Sequence, residues 1–202
     1  MNIDFLAVLT FVVVTSFTPG PNNISSASMG ILYGYKRTLP YLFGIVAGFF
    51  VVMLLCGWIS STIMLLLPSF ENILRIVGAG YILWLAYHTF KATYTFSEDE
   101  QALFGFKKGF FLQLVNPKAI IYGLTLYSTF LSSISTNPVY IFISAICLAC
   151  IGFGAISTWA LFGATIRSSL HQPRVTQLFN SALALLLVYT AIELSGVLSL
   201  IA

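Results

Sequence analysis

Long apolar stretches alternate with short polar ones along this chain. Six stretches stand out, at about Ile3–Tyr33, Leu39–Leu67, Ile73–Phe90, Phe106–Leu131, Val139–Ile166 and Leu178–Ile201. None shows the strict apolar–polar alternation of a half-buried strand, so each predicts a helix. Crossing a hydrocarbon core of about 30 Å takes about 20 helical residues, and each stretch is of that order. Pro68, Asn137-Pro138 and Pro173 fall between stretches, where proline starts or stops helices. The most polar link, Lys91 to Lys108, contains "SEDEQ", and no link is long enough to be a domain.

Two stretches are interrupted from within. "SFTPGPNNISS" breaks the first and "LQLVNPKAIIYG" the fourth. These are the leading members of two sets of three, about 1–94 and 105–202. Three is odd, so the two sets lie in opposite orientations across a bilayer. The expected fold is therefore an all-α integral membrane protein. It is a single domain of six transmembrane helices arranged as two inverted three-helix repeats, with helices 1 and 4 broken at proline motifs. Paired breaks at matching places in inverted halves are the best sequence pointer to a transporter's binding site.

The chemistry of the breaks supports that reading. Proline is tolerated at the first position of a helix, and asparagine is a good N-cap. Each break can end one half-helix and start another whose N-terminus lies at depth. Free N–H groups and the positive dipole end would attract a carboxylate there. Irregular backbone at membrane depth is tolerated only where it lines a cavity or is buried in protein.

Composition agrees with the pattern. The 202 residues are 58% hydrophobic and 7% charged, against about 25% charged in a soluble domain. Disorder requires low hydrophobicity and is excluded. The lipid bilayer is the solvent that fits. "MNIDFLAVLT" lacks the basic start of a secretory signal peptide, so the first stretch is expected to stay in the protein. Cys56, Cys147 and Cys150 all fall inside apolar runs and read as small apolar fillers. Trp58, Trp84 and Trp159 read as packing residues or interface anchors.

The positive charges are asymmetric. Lys36, Arg37, Lys91, Lys107, Lys108, Arg167 and Arg174 lie in the first, third and fifth links, and only Arg75 lies on the other side. The positive-inside rule puts those three links in the cytoplasm and both termini outside. Lys118 belongs to neither side. It lies roughly 15 Å along the helix from Lys108, near mid-membrane. A lysine there costs at least about 2.5 kcal/mol unless it has a partner or a wet cavity. Its partner is either a substrate carboxylate or Glu193, the acidic residue deep in the last stretch; snorkelling is the third option. Gln113, Asn116, Tyr81 and Tyr122 are further polar candidates, and Gln113 lies three residues before Asn116, on the same face. Gly44 with Gly48, Gly78 with Gly80, and Gly152 with Gly154 allow close helix approach, either within one subunit or across a homodimer face.

Three motifs then match in order: "TPGPN", "GAGYILWLAY" and "QLVNPKA". Over nearly its whole length the chain resembles the LysE/RhtB family of small amino-acid exporters. The resemblance implies a six-helix exporter in the bacterial inner membrane, driven by an ion gradient or by the substrate's own gradient. It implies a small amino-acid substrate, no nucleic-acid partner, and no cofactor or metal. The motif residues carried over are Pro19, Gly20, Pro21, Asn22, Asn116, Pro117 and Lys118, with Asn22, Asn23, Gln113, Asn116 and Lys118 as candidate substrate-binding residues. Many family members carry Asp where this chain has Asn22. Asparagine cannot titrate, which argues against proton coupling through this position and favours a small neutral substrate. The family also contains exporters of homoserine, threonine and leucine. A channel is a further alternative, distinguished by conduction that does not saturate; a structural subunit would not need paired polar breaks. An intramembrane enzyme fits poorly, since neither H-E-x-x-H nor G-x-S-x-G occurs and His88 and His171 sit at helix ends.

Overall fold

The computed structural model describes residues 5–66, 68–91, 105–166 and 173–195. They form helices α1 (Phe5–Phe17), α2 (Pro21–Leu66), α3 (Pro68–Phe90), α4 (Phe106–Leu114), α5 (Pro117–Thr125), α6 (Pro138–Ile166) and α7 (Pro173–Ser195). A π-helical turn, Leu126–Phe130, continues α5. No strand occurs among the described residues. The "SEDEQ" link and His171 lie outside them.

The first two apolar stretches meet within α2. Gly34 there has φ 73° and ψ 164°, a combination essentially confined to glycine because a Cβ would clash with the backbone. Helix α2 is therefore two legs hinged at Gly34, and Thr38 returns its hydroxyl to the Gly34 carbonyl at 2.8 Å. Pro40 lies six residues past Gly34, inside the second leg, where its missing N–H removes one helical hydrogen bond.

Helix α2 is the spine. It packs along α6 and α4, while α3 packs along α7. Glycines make the α2 crossings reciprocal. A Cβ at Gly30 would lie 2.0 Å from the Ala160 carbonyl oxygen, and one at Gly163 would lie 2.1 Å from the Ala27 oxygen. The second leg repeats the arrangement, with Gly44 against Phe106 at 2.0 Å and Gly109 against Tyr41 at 2.2 Å. Gly48 admits the Gln113 side chain. The Gly44/Gly48 pair thus serves packing within this chain. Gly80 and Gly154 meet nothing within 4 Å, and the surroundings of Gly78 lie outside the described set.

Large apolar side chains face outward as well as filling the core. Phe5, Leu6, Trp58, Trp84, Leu178 and Leu185 are each more than half exposed. Asn23, Ser26, Gln113, Asn116, Asn180 and Thr190 are buried. An apolar exterior over a largely apolar core, with a few polar groups buried among the helices, suits lipid. Three helical segments among the described residues are long and apolar enough to cross a membrane: Pro21–Ser60, Pro138–Ile166 and Arg174–Ile192. The first and fourth stretches do not form single long helices, because each is divided by its break into shorter pieces.

Candidate functional site

Both breaks are local consequences of sequence. Helix α1 stops at Phe17, and α2 starts at Pro21 with Gly20 in front of it. Helix α4 stops at Leu114, and α5 starts at Pro117 behind the N-cap Asn116. In each case proline sits at the first helical position.

The carbonyls that end α1 have no helical partners of their own, and side chains from four other places supply donors. The Asn23 amide donates to the Ser16 and Thr18 carbonyls, both at 2.9 Å. The Trp159 indole N–H on α6 donates to the Phe17 carbonyl at 3.3 Å. The Lys118 ammonium donates to the Thr18 carbonyl at 2.8 Å and to the Pro19 carbonyl at 3.2 Å. The Thr190 hydroxyl on α7 donates to the same Pro19 carbonyl at 2.8 Å. Lys118 is thus a cation at the negative end of a helix dipole. Gly20 makes room for it, since a Cβ there would lie 2.9 Å from the Lys118 Cδ and 3.2 Å from its Nζ. Sequence reasoning offered Lys118 a substrate, Glu193 or the interface, and missed these carbonyls. Glu193 lies on α7, but its side chain is outside the described set. Trp159 is a helix-end donor as well as a packing residue, and neither it nor Thr190 carries a local motif that would reveal the contact.

The two breaks are not equivalent at their N-termini. In α5 the Lys118 N–H is taken by the Asn116 Oδ1 at 3.1 Å, and the Ala119 and Ile120 N–H groups by the Asn116 carbonyl, both at 3.1 Å. Pro117 has no N–H. The expectation that both half-helices present free N–H groups therefore fails at α5, because its own N-cap satisfies them. In α2 the Ile24 N–H returns to the Gly20 carbonyl at 3.0 Å. Pro21 has no N–H, Gly20 has no capping side chain, and no acceptor among the described residues meets the N–H groups of Asn22 or Asn23.

A cavity of about 70 Å³ lies between the breaks, lined by Gly20, Asn22, Gln113, Asn116, Lys118 and Tyr122 among others. Gln113 is its central polar group and is fully buried. Its Oε1 accepts from the Asn22 amide across a close contact and from the Asn116 amide at 3.4 Å. Three buried atoms of the lining residues then have no hydrogen-bond partner in the protein: Asn22 Oδ1, Gln113 Nε2 and the Tyr122 hydroxyl. Rotating both amides by 180° exchanges which residue offers the donor and which the acceptor, and one of each is still presented. Such orphans are costly unless something else satisfies them. Tyr81 is not on this wall; its ring stacks on Trp84 at 6.0 Å. Among the described residues, no group of three His, Cys, Asp or Glu comes together as a metal would require.

A helical bundle with an apolar exterior and two helices broken around a small cavity has the architecture of a membrane protein. The family model for the LysE type translocator matches residues 13–196, and the chain belongs to the LysE family. The cysteine/O-acetylserine efflux protein of Salmonella typhimurium strain LT2 is 40% identical over 192 residues, covering 93% of this chain and 95% of the relative. The proteins of that name from Klebsiella pneumoniae and Escherichia coli K12 are 35% and 36% identical, with the same coverage. No solved structure is significantly similar to the chain.

Proposed function

We propose that this protein exports a small, neutral amino acid of the cysteine or O-acetylserine type from the cytoplasm across the bacterial inner membrane, by alternating access between two inverted three-helix halves. The observation that carries this reading is the cavity between the two helix breaks, with an unsatisfied acceptor and unsatisfied donors beside a lysine. A zwitterion needs both: acceptors for its ammonium and donors for its carboxylate. The carboxylate takes the open N-terminus of α2, where the Asn22 and Asn23 N–H groups, the helix dipole and Gln113 converge. The ammonium takes the Asn22 Oδ1. Lys118 adds positive charge at the cavity wall, and Asn116 holds Gln113 and caps α5. A neutral side chain at position 22 suits a substrate with no extra charge. The relatives' printed names agree with such a substrate.

The packing supports paired halves. Leading elements α1 and α4 each end at a break, the second leg of α2 and α6 are the long apolar helices that follow, and α3 packs on its counterpart α7.

Transport is tested with the full chain in inside-out vesicles given labelled cysteine or O-acetylserine, with and without a pH gradient. Saturable accumulation above empty vesicles is expected. Uptake that rises linearly with concentration would instead indicate a channel.

Orientation is tested separately. Seven of the eight basic link residues lie on the side assigned to the cytoplasm: Lys36, Arg37, Lys91, Lys107, Lys108, Arg167 and Arg174, against Arg75. In a background lacking native cysteines, Ala202→Cys should react with an impermeant thiol reagent from outside and Ser97→Cys only after permeabilisation. Reaction of both from outside would remove the inverted arrangement together with the orientation.

A further inference from the structure

We propose that Tyr122 is the specificity-determining residue of this cavity: its hydroxyl reads a hydrogen-bond acceptor at the end of the substrate's side chain. The inference rests on the transport reading above and adds to it the part of the substrate that is discriminated. Tyr122 lines the cavity and is 5% exposed, and its buried hydroxyl has no hydrogen-bond partner. Ser16 lies beside it, short of hydrogen-bond geometry.

The ring cannot turn the hydroxyl away to find a partner. Phe11 stacks on it at 5.5 Å with 10° between the planes, and Phe49 packs against it at 5.7 Å. The hydroxyl is therefore fixed in an aromatic surround. A buried phenol with no partner is a cost the fold could have avoided with phenylalanine, which would keep the same ring contacts.

Position separates this hydroxyl from the groups that hold the zwitterion. Tyr122 is one helical turn beyond Lys118 on α5, about 6 Å further from the break, and the two share a face. The break supplies Asn22, Gln113 and the N-terminus of α2. Tyr122 is joined on the cavity wall by Phe49 and by the small residues Ala149 and Gly152 of α6. An amino acid bound by its common atoms at the break directs its side chain toward this second region. A side chain ending in a carbonyl, such as an O-acyl ester, satisfies the phenol. An apolar chain of the same shape leaves it buried and unpaired, which a site built to donate a hydrogen bond penalises strongly.

The test compares O-acetylserine with 2-amino-5-methylhexanoate, its all-carbon analogue of the same shape, as competitors of labelled O-acetylserine uptake into inside-out vesicles. Wild-type protein should favour O-acetylserine by about tenfold or more. Tyr122→Phe should bring the two within about twofold of each other, chiefly by improving the analogue, with Tm unchanged or raised. A preference that survives Tyr122→Phe overturns the assignment, and so does an equal loss for both compounds, which would place the hydroxyl on the common backbone. Wild-type vesicles that accumulate no amino acid above empty ones would overturn the transport reading itself.

Discussion

Replacing Lys118 with methionine is expected to silence transport while the helices stay in place. Methionine keeps most of the aliphatic stem that passes Gly20 and removes the charge. Structural losses are cushioned, because each carbonyl that Lys118 serves has a second donor. The Thr18 carbonyl keeps Asn23 and the Pro19 carbonyl keeps Thr190. Stability should fall by about 1.5–3 kcal/mol, the value of hydrogen bonds to a charged group. Transport has no such reserve. Removing one member of a desolvated charge interaction costs about 2–5 kcal/mol, so an uptake loss on the order of 100-fold is expected at about 1.4 kcal/mol per tenfold. Lys118→Arg should recover only part of this, since a planar guanidinium is poorly matched to the gap at Gly20. Vesicle uptake and the melting temperature of purified protein, measured side by side, separate the two effects. Normal uptake by Lys118→Met would remove Lys118 from the site. Recovery of uptake when Glu193→Ala is added to Lys118→Ala would give it a purely structural role.

The second large effect falls on the helix crossings. Gly30→Ala and Gly44→Ala should each prevent recovery of folded protein. At both positions the new Cβ would lie 2.0 Å from a backbone oxygen of the facing helix, well under the 3.0 Å that real Cβ atoms keep from any neighbour. No side-chain rotation relieves a clash with backbone, so the helices must separate along the crossing. Apolar burial does not drive helix association in lipid; close packing does. Losing it should cost more than the ~1–3 kcal/mol typical of overpacking. Gly80→Ala and Gly154→Ala are the controls, since nothing lies within 4 Å of either new methyl. Size-exclusion profiles in detergent should show aggregated material for the first pair and a normal peak for the second. A normal peak for Gly30→Ala would mean that the α2–α6 crossing adjusts at little cost.

The sequence by itself determined the helical class, the positions of the helix breaks and the residue types gathered at them. Those features are local. Long apolar runs favour helices, proline and asparagine stop and restart them within a few residues, and "TPGPN" and "QLVNPKA" are contiguous motifs. The pairing of Gln113 with Asn116 was legible for the same reason, because three residues on a helix share a face. Three helical segments long and apolar enough to cross a membrane are present among the described residues, and the six-helix arrangement remains part of the proposal. Which polar groups are spent and which are offered was decided only by the tertiary structure. Lys118 reaches carbonyls just past α1 that lie far away in sequence, and Trp159 and Thr190 arrive from α6 and α7 to serve the same break. Two breaks of similar composition proved unequal, with Asn116 closing the N-terminus of α5 and Gly20 leaving that of α2 open. Tyr122 is one of several polar candidates in the sequence, and only the tertiary structure packs its ring between Phe11 and Phe49 and leaves its hydroxyl unsatisfied. Hydrogen bonding is a matter of three-dimensional proximity, so the balance of donors and acceptors in the cavity exists only once the helices have been brought together.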